Sequence, residues 1–313
     1  MIVTLTANPA LDRTITLGAA LRPGEVQAAD SVREDAGGKG VNVSRAVAAA
    51  GVDTVAVLPI ALDDPYGAVV AAAGIQTKAV PVIRHVRANL TIADPDGVTT
   101  KINLPGDPVT AADAAAVAAA VVEASEGARW LVLAGSLPRG VADTFYVEIA
   151  DAVRSRWVAD APLIAVDTSG AALRKVVEHG AADLIKPNDE ELVELTGVEL
   201  DEGSLADAVH RVARRLVPEH AASALVTLGG AGAVLVTADG AWFAEAPRIK
   251  VASTVGAGDS SLAGYLLAEH AGLGPAARLQ SAIRYGAAAA SLPGTQAPTP
   301  DDLGTADIVA RSL

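Results

Sequence analysis

With 313 residues, of which 51% are hydrophobic and 19% charged, the chain can bury enough apolar surface to offset its ordering entropy, which excludes general disorder. Its 24 Lys and Arg against 37 Asp and Glu give a formal net charge of -13, a surface that repels phosphate backbones and anionic headgroups; nucleic acid and membranes are therefore not expected partners. No cysteine is present, so disulfides, thiol nucleophiles and Cys-zinc or iron–sulfur sites are excluded, and the five histidines (His85, His179, His210, His220, His270) lack metal-ligand spacing.

The N-terminal MIVTLTANPALDR alternates like a first strand and has neither a basic n-region nor a long apolar h-region. No signal peptide is expected, and the reading is a cytoplasmic protein. Residues 13–34 read as strands without helices. From Gly37 onward, short apolar runs at 54–59, 130–134, 163–166, 183–185 and 224–228 alternate with helical patterns at 41–50, 65–73, 111–126, 144–153, 189–196 and 204–217. Two further helices are expected at 258–271 and 275–292. The alternation predicts an α/β fold, a mainly parallel sheet with helices on both faces. The uncharged run 221–238 approaches membrane-span length, but Gly229, Gly230 and Gly232 divide it into two strands around a glycine turn.

Residues 82–104 break the pattern. A three-residue loop Pro95-Asp96-Gly97 sets Leu90 opposite Ile102 and Thr91 opposite Lys101. Val86, Ala88, Leu90, Ile92, Ile102 and Leu104 then share one face of an antiparallel flap, and Arg87, Asn89, Thr91, Lys101 and Asn103 the other. The polar face suits a ligand. The apolar face of so thin a flap needs a cover, which points to a second copy of the chain and a homodimer.

Four groups of residues carry chemistry. In Ser253-Thr254-Val255-Gly256-Ala257-Gly258-Asp259-Ser260 a glycine turn runs into a helix whose free N–H groups make an anion site. Asp259 there either complements the helix dipole or takes a proton from a hydroxyl attacking the anion. Gly37-Gly38-Lys39-Gly40-Val41-Asn42 opens another helix with a cation and an amide, and reads either as a tight loop or as a ligand cradle. Lys186-Pro187-Asn188-Asp189-Glu190-Glu191 follows a strand, where Asn188 and Glu191 form a capping box or, with Lys186, meet polyphosphate and the water around Mg2+. Asp12 and Ser136 also follow strands, Asp12 being suited to paired sugar hydroxyls or to a turn. A dinucleotide fingerprint is incomplete at Gly256-x-Gly258, and Gly38-Lys39 is not followed by Ser or Thr, so a Walker A loop is absent.

In order, TANPALDRTI, GGKGVNVSR, TKINLPG, GSLPRG, KPNDEE, VTLGGAG and STVGAGDS span nearly the whole chain. Together they resemble the ribokinase-like PfkB carbohydrate kinases and, within them, the 1-phosphofructokinase group. The resemblance implies a three-layer α/β/α domain made of residues 1–10, 37–81 and 106–313, with a discontinuous β lid of 11–36 and 82–105 through which two copies pair. It implies ATP-dependent phosphorylation of fructose 1-phosphate with Mg2+, Asp259 acting as base beside an anion hole of Gly256, Ala257 and Gly258. Substrate contacts would fall to Asp12, Gly37, Gly38, Lys39, Asn42, Arg87, Lys101 and Ser136. ATP would meet Lys186, Asn188, Thr227, Gly229 and Gly232, with Glu191 reaching the metal through water. Kinases of tagatose 6-phosphate and fructose 6-phosphate share these motifs, and the preference rests on residues 100–103. A non-catalytic sensor would have no need of a base at Asp259, and a nicotinamide oxidoreductase is the poorest fit.

Overall fold

A computed structural model describes residues 1–200 and 203–313. Its main sheet has the order β14(Ala310–Ser312), β13(Gly240–Ala244), β12(Ala233–Thr237), β11(Ala221–Thr227), β10(Ala182–Ile185), β9(Leu163–Asp167), β8(Trp130–Ala134), β1(Ile2–Thr6), β4(Thr54–Ile60), β5(Thr77–Pro81). Every pairing from β11 to β5 is parallel, and β12, β13 and β14 close the other edge antiparallel. The expected strand pair around the glycine turn is β11 and β12. Outside the expected runs lie helix α5(Gly170–Glu178), which buries Ala172, Leu173, Val176 and Val177 on one face, and the strands β13 and β14.

Helices cover both faces. On one, α1(Lys39–Ala49), α8(Ala257–His270) and α9(Pro275–Ser291) bury Val43, Val47, Leu262, Leu266 and Leu279 against Ile2, Val132, Leu184 and Leu235. On the other, α3(Ala111–Ala124), α4(Phe145–Trp157), α5, α6(Asp189–Thr196) and α7(Leu205–Ala213) pack Val121, Ile149, Leu173, Leu192 and Val209 against Val3, Leu5, Leu131 and Val226. Strand side chains alternate between faces, so in a sheet covered on both sides whole strands are buried, as Ile2–Thr6 and Trp130–Ala134 are; the second is apolar throughout, and in the first the Thr4 hydroxyl bonds the Ser44 hydroxyl and Thr6 Oγ1 accepts from the Val41 amide. Helix α7 ends at Ala213, short of the expected 217, and α4 runs on to Trp157, beyond the expected 153.

The second sheet has the order β3(Ala29–Gly37), β2(Ala10–Leu17), β6(Arg87–Ala93), β7(Thr99–Asn103). Its outer pairs are antiparallel as expected, and its central pair β2–β6 runs parallel because the chain returns from β5 before entering β6. The β6–β7 register places Leu90 beside Ile102 and Thr91 beside Lys101, with Gly97 at φ 81. Helix α2(Pro65–Ala72), with Leu11, Ala36, Val41 and Tyr66, packs where the two sheets meet.

Helices α8 and α9 approach closely because Gly264 has no side chain: a Cβ there would stand 2.5 Å from the Ser281 carbonyl oxygen and 2.9 Å from the Tyr285 ring. Helix propensity favours Ala over Gly by about 1 kcal/mol. Crowding reverses the sign, so Gly264→Ala is expected to lower stability by about 1–3 kcal/mol in urea unfolding; a stabilised variant would show that the helices part freely.

Candidate active site

The start of α1 is fitted onto the end of β1. Gly38 has φ 126, a Cβ on Gly40 would stand 2.6 Å from Thr6 Oγ1, and the Val41 amide donates to Thr6 Oγ1 at 3.0 Å. Larger residues would lift the helix away. Seated there, α1 directs Lys39 to Asp167 at the end of β9, with Nζ 2.7 Å from Oδ1, and Asn42 to Asp259 in the first turn of α8, where Nδ2 donates to Oδ2 at 2.8 Å. Lys186, following β10, reaches the other oxygen of Asp167 at 3.1 Å. Gly258 leaves room for that lysine, since a Cβ would lie 3.3 Å from its Nζ.

Charge and burial set the ionisation of this cluster. Burial disfavours the Asp167 carboxylate, but the ammonium groups of Lys186 and Lys39 outweigh it and hold the group below the usual carboxylate range. Burial likewise opposes the Lys39 ammonium, and the charges of Asp167 and Asp259 overcome that and raise it. Asp259 goes the other way. Burial first, and the neighbouring Asp167 charge second, push it up to about 6 against the pull of Lys39, Asn42 and Lys186.

A cleft of about 540 Å³ opens from this cluster. Lys39, Lys186, Ala257, Gly258 and Asp259 line its polar end, and Asn188, Glu191, Thr227, Gly229 and Gly232 its flank. Ile249, Val251, Ile283, Ala287 and Ala290 form an apolar wall, the last three from α9. Gly229 and Gly232 have φ 54 and 121, and a Cβ on Gly232 would overlap the Ala244 carbonyl. Asn188 and Glu191 are tied in a reciprocal capping box, Glu191 N to Asn188 Oδ1 at 2.7 Å and Asn188 N to Glu191 Oε2 at 3.0 Å, while both still border the cleft. Gly256, the cap of α8 at φ 78, lies beside Asn42.

A second group gathers on the second sheet. The registers put Asp12, Arg87, Asn89, Lys101 and Asn103 on one face. Asn89 donates to Asp12 at 2.8 Å, and burial raises the Asp12 carboxyl despite that bond. Gly37 lies against the Asp12 carboxylate with no space for a Cβ. Lys101 is exposed on β7, and Ser136 is exposed on the loop after β8; the structure brings neither into contact with the cluster. Sequence reasoning missed Asp167, although it ends an apolar strand run where Asn8 and Lys186 end theirs. It also missed Arg84, buried in the loop before β6.

Removing the shared counter-ion strands two ammonium groups. Asp167→Asn is expected to cost roughly 3 kcal/mol in denaturant unfolding at neutral pH. The depressed Asp167 pKa gives a stabilisation fully present above the unfolded value of about 4 and lost as pH falls below it, so the deficit of the variant should shrink in acid. Equal stability at pH 7 would remove Asp167 from the role of anchor.

The model of the pfkB family carbohydrate kinases matches residues 6–302. The chain is 35% identical over 297 residues to a 1-phosphofructokinase of Rhodobacter capsulatus, covering 91% of this chain and 90% of the relative. It is 32% identical over 311 residues to an ATP-dependent 6-phosphofructokinase isozyme 2 of Mycobacterium tuberculosis, covering 96% and 87%. Among solved structures, phosphofructokinase-2 of Escherichia coli superposes with a TM-score of 0.89 at 28% identity, covering 96% of each chain. A ribokinase-like fold, motifs in order and matches across both sheets agree: the chain is an ATP-dependent sugar kinase and belongs to the pfkB family of carbohydrate kinases.

Proposed function

We propose that this kinase transfers the γ-phosphoryl group of ATP to the free primary hydroxyl of fructose 1-phosphate, giving fructose 1,6-bisphosphate, with Asp259 as general base. The observation that carries the reading is Asp259 itself, a buried carboxyl pushed up to about 6 at the start of α8, between the polar end of the cleft and Asn42 on α1. A base must sit where negative charge develops, and there Asp259 takes the hydroxyl proton while the first amides of α8, from Gly256, Ala257 and Gly258, face the transferring group. Lys39 and Lys186 add positive charge at the same end of the cleft. Asp167 keeps both in place.

The nucleotide lies, on this reading, along Lys186, Asn188, Thr227, Gly229 and Gly232, its base against the apolar wall. Magnesium would neutralise phosphate charge. Among the described residues no cluster of three His, Asp or Glu converges to hold a metal, and one oxygen of Glu191 is engaged in the capping box, so the residues fit an ion carried by the phosphates and reached by Glu191 through water. On the acceptor side Asp12 meets sugar hydroxyls, Gly37 and Gly38 admit the sugar to the backbone, and Asn42 spans both halves. Lys101 and Ser136 join if residues 11–36 and 82–105 close as a lid over the rest of the chain. The acceptor's phosphate is read from Arg87 and Lys101 on one face, and fructose 1-phosphate from the likeness of residues 100–103 to that group. The 6-phosphofructokinase likeness makes fructose 6-phosphate the second reading.

Coupled ADP-release assays with fructose 1-phosphate, fructose 6-phosphate, tagatose 6-phosphate and fructose decide between these: the highest kcat/KM is expected for fructose 1-phosphate, and a 6-phosphate preference overturns that choice. Asp259→Asn should cut kcat by about 100-fold or more while leaving ligand binding. Since a protonated Asp259 cannot accept a proton, activity should fall as pH drops through about 6. Asn42→Ala removes a bond to the charged form and should move that limb to higher pH; an unmoved limb would assign it to another group.

The same reading includes a homodimer through the lid. Val32, Ile102 and Leu104 are exposed on its apolar face beside Leu90 and Ile92, and no helix among the described residues is long and apolar enough to cross a membrane. Sedimentation should show a dimer that Ile102→Asp dissociates, and a monomeric wild type would refute it.

A further inference from the structure

The root of the lid holds a buried cation that the proposed reaction does not use. Arg84 is 9% exposed, yet among the described residues it makes no ion pair. Its Nη2 donates to the Ala7 carbonyl at 3.3 Å, and its Nε and Nη1 are buried without a partner. Arg87 Nε is also buried and unpartnered. Taking a guanidinium out of water without a counter-charge is costly, and one long bond to a carbonyl does not offset it. Burial accordingly holds both arginines below their ordinary pKa.

These groups converge on Gly106, which follows β7 with φ 72. Arg84 Nη1 and Arg87 Cδ lie 3.7 and 3.8 Å from the point a Cβ on Gly106 would take, and Arg139 Nη2 donates to the Gly106 carbonyl at 3.2 Å. The cluster stands beside the acceptor face: Arg87 shares its side of the sheet with Asn89, whose amide holds Asp12, and Arg84 is fastened to Ala7 at the end of β1. Asp107 and Asp113 are the acidic groups whose charge Arg84 feels, and neither comes within ion-pair distance. The Arg84 guanidinium and the stem of Arg87 thus meet at Gly106, and both side chains keep buried donors without partners in an otherwise acidic chain; a phosphate dianion, which accepts paired N–H bonds, is the ligand such donors suit.

We propose that Arg84 is a second phosphate-binding arginine, acting with Arg87 on the phosphate that the acceptor already carries and so selecting phosphorylated over free sugars. The proposal rests on the reading of the chain as a sugar-phosphate kinase but not on which hexose phosphate is preferred. Lys101 is exposed on a strand edge, whereas Arg84 is set in place before any ligand arrives.

The test measures initial rates of wild type, Arg84→Gln and Arg84→Lys at saturating ATP, using whichever of fructose 1-phosphate, fructose 6-phosphate and tagatose 6-phosphate the wild type uses best, with fructose alongside. For Arg84→Gln, KM for the sugar phosphate should rise by about 10–100-fold, the scale of a lost charge-assisted bond. KM for ATP and kcat/KM for fructose should stay within about threefold. Arg84→Lys keeps the charge but loses the fork, and should be intermediate. An unchanged sugar-phosphate KM in a folded Arg84→Gln, or a fall in kcat and melting temperature without a KM change, overturns the proposal. If Arg84→Gln fails to fold, Arg84→Lys decides: a raised KM supports phosphate binding and a wild-type KM refutes it. A wild type that prefers a 6-phosphate overturns only the choice of fructose 1-phosphate, while one that prefers free fructose overturns both.

Discussion

One buried carboxylate holds the centre of this molecule together. Asp167 is wholly enclosed and pairs with Lys39 from the start of α1 and with Lys186 from the end of β10. Without it two cations would face each other at the end of the cleft with no counter-charge; with it, three separate segments are drawn to the carboxyl ends of adjacent strands. The same charge acts on the neighbouring Asp259, whose ionisation is pushed towards the neutral range by burial and by Asp167 together. A structural anchor thus also tunes the group proposed to move the proton.

Close backbone contact does the rest of the positioning. Helix α1 can reach both Asp167 and Asp259 only because Gly38 and Gly40 let it settle on Thr6 and Leu5. Its first turn lies between the cleft on the main sheet and the polar face of the second sheet. Gly37 leaves space for Asp12, and Gly264 lets α8 lie close to α9, whose other side walls the cleft. At Gly40 and Gly264 a Cβ would meet backbone, at the Leu5 and Ser281 carbonyls, so the missing atom sets a distance that no side-chain adjustment could recover.

The charge distribution is uneven in a way that suits an anionic acceptor and donor. The chain as a whole carries -13, yet Lys39 and Lys186 meet at one end of the cleft and Arg84, Arg87 and Arg139 around Gly106. Concentrating cations inside an acidic surface focuses attraction where ligands bind and discourages binding elsewhere. Burial strengthens the charges of Lys186 and Arg84 by lowering the local dielectric, and it also makes an unpaired one expensive.

Much of this was legible in the order of residues. Period-two and helical patterns located most elements, the loop at Pro95-Asp96-Gly97 set the β6–β7 register, and the ordered motifs marked strand ends that meet at one cleft. Local rules sufficed there because strand alternation, turn geometry and helix capping are decided by neighbours in the chain. The capping box of Asn188 and Glu191 is of that kind. The parallel pairing of β2 with β6, the sharing of Asp167 by Lys39 and Lys186, and the meeting of Arg84 with Arg87 and Arg139 were not legible. They join positions as far apart as 128 residues, as Lys39 and Asp167 do, and depend on which strand lies beside which. Sequence by itself determined most of the elements, the family and the chemical types available; the tertiary structure alone decided which charges are buried together, because burial and pairing are properties of neighbours in space.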